Sequence, residues 1–288
     1  MAPEGIILRL ANNVGNDQLL ENLSGAVKNM EVKIGCCGFP IGRKKYFQSF
    51  NLVEVQETFY RLPKLTTSMK WRAESPPDFE FSLKCWQAVT HPPTSPTYRR
   101  AGISIEAAKF DSYGLLKLTK ENLEAWDRTR EICKTLNSRI CVVQCPPQFS
   151  YNAENINNTR RFFNAVARDG LRIAWEPRGN WKEHREAIAN LCHELELIHV
   201  VDLLRRDPAI VTETVYTRLH GLGTREYDYN YTYTDNDLEV LAEKLAALEK
   251  RKVREAYVLF NNVHMLEDAT RLRPVSYTHL TLPTNREV

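Results

Sequence analysis

Residues 139–176 read RICVVQCPPQFSYNAENINNTRRFFNAVARDGLRIAWE, and the fold turns on this stretch. Two short apolar runs, RICVVQC and LRIAWE, flank a helical pattern over residues 156–167 that carries Phe162, Phe163 and Val166. Near-continuous apolar runs of this length suit parallel strands covered on both faces. A helix joining two of them makes a right-handed βαβ unit.

Working outward, the same unit recurs. Strands are expected at 32–37 (VKIGCC), 52–57 (LVEVQE), 79–85 (FEFSLKC), 139–145, 171–176, 197–202 (LIHVVD), 215–220 (VYTRLH) and 255–261 (EAYVLFN). Helices are expected at 118–136, 156–167, 181–195 and 235–250. The last opens with Thr234 and Asp235 as capping residues and aligns Leu238, Leu241, Leu245 and Leu248. Trp71, Trp126 and Trp181 fall at helical spacings and read as packing residues. Eight such units predict an α/β chain folded as a single-domain (β/α)₈ TIM barrel. The alternative is an open doubly wound sheet, but no G-x-G-x-x-G follows the first strand.

Composition agrees with a folded, water-exposed protein. The 288 residues are 43% hydrophobic and 26% charged, with net charge +3 and mean hydropathy −0.44. That balance speaks against a polybasic membrane binder or a nucleic-acid coat, and no apolar run is long enough to span a bilayer. The seven cysteines are odd in number, with no secretory signal before them and no C-x-x-C. They read as free buried thiols in a reducing cytoplasm.

The barrel is expected to occupy residues 30–274. Residues 1–29 read as an N-terminal extension of doubtful origin. Residues 275–288 open with VSYTHLTLPT, which matches one frame of a common sequencing-library adapter, and are expected to be a tail derived from it. Their residue types would otherwise suit a strand. Between the third and fourth strands, THPPTSPTYRRAG begins a long loop, either a wall of the site or a passive insertion.

Function is read from the strand ends. In a (β/α)₈ barrel all eight C-terminal ends converge on one rim. Here they finish in polar residues: Gln56 and Glu57, Lys84, Gln144, Glu176, Asp202, His220, and Asn261 with Asn262; period-two alternation puts Glu54 on the face of Gln56 and Arg218 on the face of His220. Glu176 follows an apolar strand, and burial would raise its pKa and suit it to proton transfer. His220 is an acid/base by residue type. Its bland reading is a core histidine bonded to backbone. Lys84 and Arg218 suit an anion or developing negative charge, or an ion-pair network with the acidic strand ends. Gln144, Asn261 and Asn262 would orient a polar ligand. Glu176, Asp202 and His220 could converge on a metal, but no H-E-x-x-H or similar motif supports this, and neither a metal nor a cofactor is expected. No G-x-S-x-G elbow is present.

The runs GCCGFPIGRKKYF, VEVQETFYRLP, FEFSLKCWQAVTHP, WEPRGNW, YTRLHG and YVLFNN resemble, in order, the YecE-like family, domain of unknown function 72. The details SPTYRR and KCWQAVTHP are similar to an archaeal-type branch. The resemblance spans residues 32–272 and implies a (β/α)₈ barrel with no established activity. Its motifs fall on Glu54, Thr58, Phe59, Tyr60, Lys84, His91, Glu176, Arg178, Asp202, Arg218, His220, Asn261 and Asn262.

The expectation is an enzyme for a polar, anionic small molecule. Glu176 and His220 would move protons, with Asp202 and Lys84 also catalytic. Glu54, Gln56, Gln144, Arg178, Arg218, Asn261 and Asn262 would bind substrate, and Tyr60 and His91 would form the wall. One alternative is a nucleic-acid binding or processing barrel using Arg43, Lys44, Lys45, Arg61, Lys64, Arg99 and Arg100 with Trp86. Another is a ligand-binding barrel without turnover. Oligomeric state is not legible.

Overall fold

The computed structural model describes residues 30–281, with side chains to residue 273. The expected N-terminal extension and the last seven residues of the expected tail lie outside the described residues. Eight parallel strands close into a barrel in sequence order: β1 Glu31–Cys37, β2 Leu52–Val55, β3 Glu80–Lys84, β4 Ile140–Gln144, β5 Arg172–Glu176, β6 Leu197–Val201, β7 Thr214–Leu219 and β8 Glu255–Phe260. Closure comes from β1 against β8, paired from Glu31↔Glu255 to Cys36↔Phe260. All eight expected strands form, each within two residues of its expected bounds. The largest difference is at β2, where Glu57–Tyr60 leaves the strand as a helical turn.

Strand alternation divides the core into two layers. One set of positions, including Leu52, Ile140, Val142, Ala174, Ile198, Val200, Tyr216 and Leu259, fills the barrel. The alternate set, including Val53, Phe81, Cys141, Val143, Ile173 and Trp175, packs outward under the helices. Helix Lys120–Thr135 contributes Trp126 and Ile132 to that outer layer, and helix Asp235–Lys250 contributes its leucine stripe. Thr234 caps the latter through a reciprocal capping box with Asp237. Trp71, Trp126 and Trp181 are all buried, as packing residues should be. Helix Met265–Thr281 runs through residues 275–281, so this part of the tail is helical and not a strand. Among the described residues, no helix is long and apolar enough to cross a membrane.

All seven cysteines are free and buried. Burial pushes the thiols of Cys36, Cys145 and Cys192 up to about 12. Native protein is therefore expected to react with a thiol-specific disulfide reagent only as fast as it unfolds. A thiol that titrates at once in native buffer would contradict this packing.

The N-terminal end of the barrel carries a closed ion network. Lys33 Nζ meets Glu80 at 2.6 Å and Glu255 at 3.3 Å, and Arg172 Nη1 meets Glu255 at 2.7 Å. Tyr257 donates its hydroxyl to Glu80. Each of these charges has a partner of opposite sign, and the opposite end of the barrel is built differently.

Candidate active site at the C-terminal rim

Inward positions near the strand C-termini carry Glu54 on β2, Lys84 on β3, Gln144 on β4, Glu176 on β5 and Arg218 on β7. All are buried, and Glu54 and Arg218 are fully so. Arg218 is the hub. Its Nε donates to Glu54 Oε2 at 3.0 Å, and its Nη1 donates to Gln144 Oε1 at 3.1 Å and to Glu176 Oε2. Arg178, just past β5, donates Nε to Glu176 Oε1 at 2.7 Å. Below this layer, the Tyr216 hydroxyl donates to Glu54 Oε2 at 2.8 Å and lies 2.7 Å from Ser82 Oγ. Gln56 Nε2 donates to the other oxygen of Glu54.

This network corrects the proton-transfer reading of Glu176. Burial does push its carboxyl up, but the Arg178 and Arg218 guanidiniums outweigh burial and hold it well below the usual carboxylate range. Two charge-assisted partners favour the ionised form, so Glu176 is a fixed negative charge at neutral pH. His220 is corrected in the same way. Burial and then Arg218 push its imidazole well below the ordinary value, so it stands as a neutral ring. Its Nε2 lies 3.5 Å from Arg178 Nη2, and Tyr227 and Tyr229 meet it edge-on.

Two other rim groups are shifted toward neutrality. Burial, reinforced by Arg218 and Arg178, lowers the Lys84 amine to about 7. Burial raises Asp202 to about 6, against hydrogen bonds from the His220 and Leu204 amides, both at 3.1 Å. Those two bonds also fix the turn leaving β6 to the end of β7. Lys84 Nζ lies 4.0 Å from the centre of the Phe59 ring. Among the described residues it makes no ion pair or hydrogen bond.

The remaining expected residues divide. His91 packs edge-on against the same Phe59 ring, and its Nδ1 lies 2.8 Å from Thr90 Oγ1. Burial lowers it to about 3, so it too is neutral. Tyr60 is exposed and meets Phe59 edge-on. Asn261 directly follows β8, and its backbone amide donates to Leu219 O at 2.8 Å. Asn262 departs from expectation: its amide donates to Tyr231 O and Asp268 Oδ2, tying the next helix to the loop after β7.

Two loops shape the mouth. The long segment after β3 folds back on itself, with Gly114 N bonded to Ala88 O at 2.8 Å and to Asn122 Oδ1 at 2.9 Å. Gly114 has φ +78°, and a Cβ there would sit 2.5 Å from the His91 carbonyl. The loop's neck is thus clamped onto His91. After β7, Arg205 donates to the carbonyls of Gly221, Gly223 and Arg225 and holds the loop that carries Tyr227 and Tyr229. Sequence reasoning missed these two tyrosines, as it missed Tyr216 and Ser82. The alternating run YDYNYTY at 227–233 was the available signal.

A cavity of about 50 Å³ lies among Glu176, Asp202, Arg218, His220 and Tyr227. Beside it, a groove of about 370 Å³ runs along Arg178, Asn180, Lys182 and Tyr227. Among the described residues, no group of three or more His, Cys, Asp or Glu side chains is placed to hold a metal ion. Of the basic set, Arg61 donates to Ala101 O beside Arg99 and Arg100, whereas Arg43 pairs with Glu74 and stacks on Trp71.

Among solved structures, the chain is similar to a DUF72 family protein from Enterococcus faecalis V583. TM-score is 0.65 at 19% identity, covering 86% of this chain and 98% of that one. A DUF72 family protein from Thermotoga maritima MSB8 aligns with TM-score 0.60 at 22% identity, covering 85% and 98%. A xylose isomerase domain containing protein from Salmonella typhimurium LT2 aligns with TM-score 0.52 at 14% identity, covering 88% and 98%. At these identities the likeness is one of fold. No curated protein matches the chain. The family model described as protein of unknown function DUF72 matches residues 43–280, most of the barrel just described, and the chain belongs to that family.

Proposed function

We propose that this barrel is an enzyme that binds a polar, anionic small molecule at its C-terminal rim and works by electrostatic and acid–base catalysis. The observation that carries this reading is a buried amine with no ion-pair partner. Arg178 and Arg218 pair with Glu176 and Glu54, whereas among the described residues Lys84 makes no ion pair. A proton on a buried amine without a partner is costly, and a carboxylate or phosphate of the substrate supplies the missing counter-charge. In this reading Arg178 and Lys84 hold the anion, and Gln144, Asn261 and His220 orient the polar groups around it. Lys84 and Asp202 carry protons, because their values lie close to working pH. Glu54 and Glu176 keep the guanidiniums in place, and Tyr60 and His91 wall the mouth.

The test is a thermal-shift panel of carboxylates, sugar phosphates, nucleotides, divalent metals and short oligonucleotides. A ligand at about 100 times its Kd adds about 2.7 kcal/mol of stability. We expect a small anion to give that shift and Arg178→Ala to abolish it. A silent panel would overturn the reading. So would shifts with oligonucleotides alone that fade steeply with salt; these would favour a nucleic-acid role for Arg99 and Arg100.

A further inference from the structure

We propose that Lys84 is a nucleophilic amine that condenses with the carbonyl group of an anionic aldehyde or ketone, forming an imine at the rim of the barrel. This rests on the reading of the rim as an anion site and adds the substrate class to it.

The argument begins with placement. Lys84 ends β3 and shares a strand face with Ser82, whose hydroxyl meets Tyr216 inside the barrel. The amine therefore rises from the barrel interior one step nearer the rim. It is about nine-tenths buried. The carboxylates that could neutralise it are engaged elsewhere, Glu54 by Arg218, Gln56 and Tyr216, and Glu176 by Arg178 and Arg218. What touches the amine is the Phe59 ring. A buried lysine on an apolar face, with guanidiniums close by and no ionic partner, keeps its nitrogen lone pair free at neutral pH. The charged groups bearing on it are Arg218, Arg178, Glu176 and Glu54, and their balance with burial leaves the amine near neutrality. The imidazoles of His91 and His220, which it also influences, are neutral.

The chemistry closes without a further reagent. The nitrogen lone pair attacks the carbonyl carbon, and the C=O π pair moves to oxygen. Oxygen gains a proton and nitrogen loses one, giving a carbinolamine. Protonation of that hydroxyl and loss of water leave a C=N bond, which is protonated as an iminium. Amine and carbonyl thus become imine and water, with nothing oxidised or reduced. Arg178 stands ready for the carboxylate or phosphate of the same molecule, and Glu54 and Glu176 face the iminium as they faced the ammonium.

The test uses the full chain, glyoxylate as the probe and cyanoborohydride to trap the imine, with peptide mass spectrometry to locate the adduct. Near pH 7 the expected labelling of Lys84 is at least roughly tenfold faster than that of the exposed Lys70 and Lys120, because burial and the neighbouring guanidiniums lower its amine to about 7. Its rate should level off once pH passes about 7. Acetate, which has the charge but no reactive carbonyl, should slow it. Labelling of Lys84 no faster than Lys70 and Lys120 overturns the proposal. If acetate or sulfate still raises the melting temperature in that case, the anion site survives and only the imine chemistry fails. Fast labelling with no stabilisation by any anion supports the amine and removes the anion reading.

Discussion

Replacing Arg218 with methionine is expected to lower stability by about 3–5 kcal/mol, the cost of leaving a buried charge without its partner. Arg218 and Glu54 are both fully buried, and Glu54 has no other cation within ion-pair distance among the described residues. Its remaining partners, Gln56 and Tyr216, are neutral. Glu176 keeps Arg178 and suffers less. For a domain of this size the loss corresponds to a fall in melting temperature of roughly 6–20 °C. Adding Glu54→Gln to Arg218→Met removes the stranded carboxylate and should restore a large part of the loss. A double-mutant cycle by urea denaturation measures that coupling. A single-variant loss below about 1 kcal/mol would mean that the rim tolerates an unpaired carboxylate, contrary to the buried network described.

The second large effect is a pH dependence that belongs to one side chain. The folded-state value of Lys84 is depressed from 10.5 to about 7, chiefly by burial and then by Arg218 and Arg178. Between those values the unfolded chain binds the proton and the folded chain does not. Stability from this group is therefore complete above 10.5 and is lost as pH falls through about 7. Lys84→Met removes the titration while keeping the length of the side chain. The stability of the variant relative to wild type should be greater at neutral pH than near pH 10.5 by on the order of 4 kcal/mol. Tyrosines that ionise at high pH are common to both proteins and cancel in the difference. A difference that stays flat with pH would show that Lys84 titrates as an ordinary exposed lysine.

The barrel was legible because its signals are local. Each strand announces itself within five to seven residues by an apolar run, and the intervening helices by their stripes and caps. Leu238, Leu241, Leu245 and Leu248 are buried as their spacing requires. Strand ends are local too: position at the end of an apolar run gathers Lys84, Gln144, Glu176 and His220, and two-residue alternation adds Glu54 and Arg218. Loops carry weaker periodicity, and the tyrosines at 227 and 229 escaped for that reason. Asn262 shows the limit of reading by position. One residue past Asn261, it falls on the other face of the chain, and its amide meets Asp268 six residues on.

By itself the sequence determined the number and order of the strands, the closed parallel architecture and the set of polar side chains brought to one rim, since all of these follow from backbone periodicity over short stretches. Only the tertiary structure decided the charge states of those side chains. The charge state of Glu176 depends on its burial, on Arg178 two residues on, and on Arg218, 42 residues away and across the barrel. The lowered value of Lys84 depends on burial together with arginines from β7 and the end of β5. Desolvation and Coulomb energy vary with distances that exist only once the barrel closes. Residue type alone pointed to Glu176 and His220 as the proton carriers, whereas closure leaves Lys84 and Asp202 nearest to neutrality.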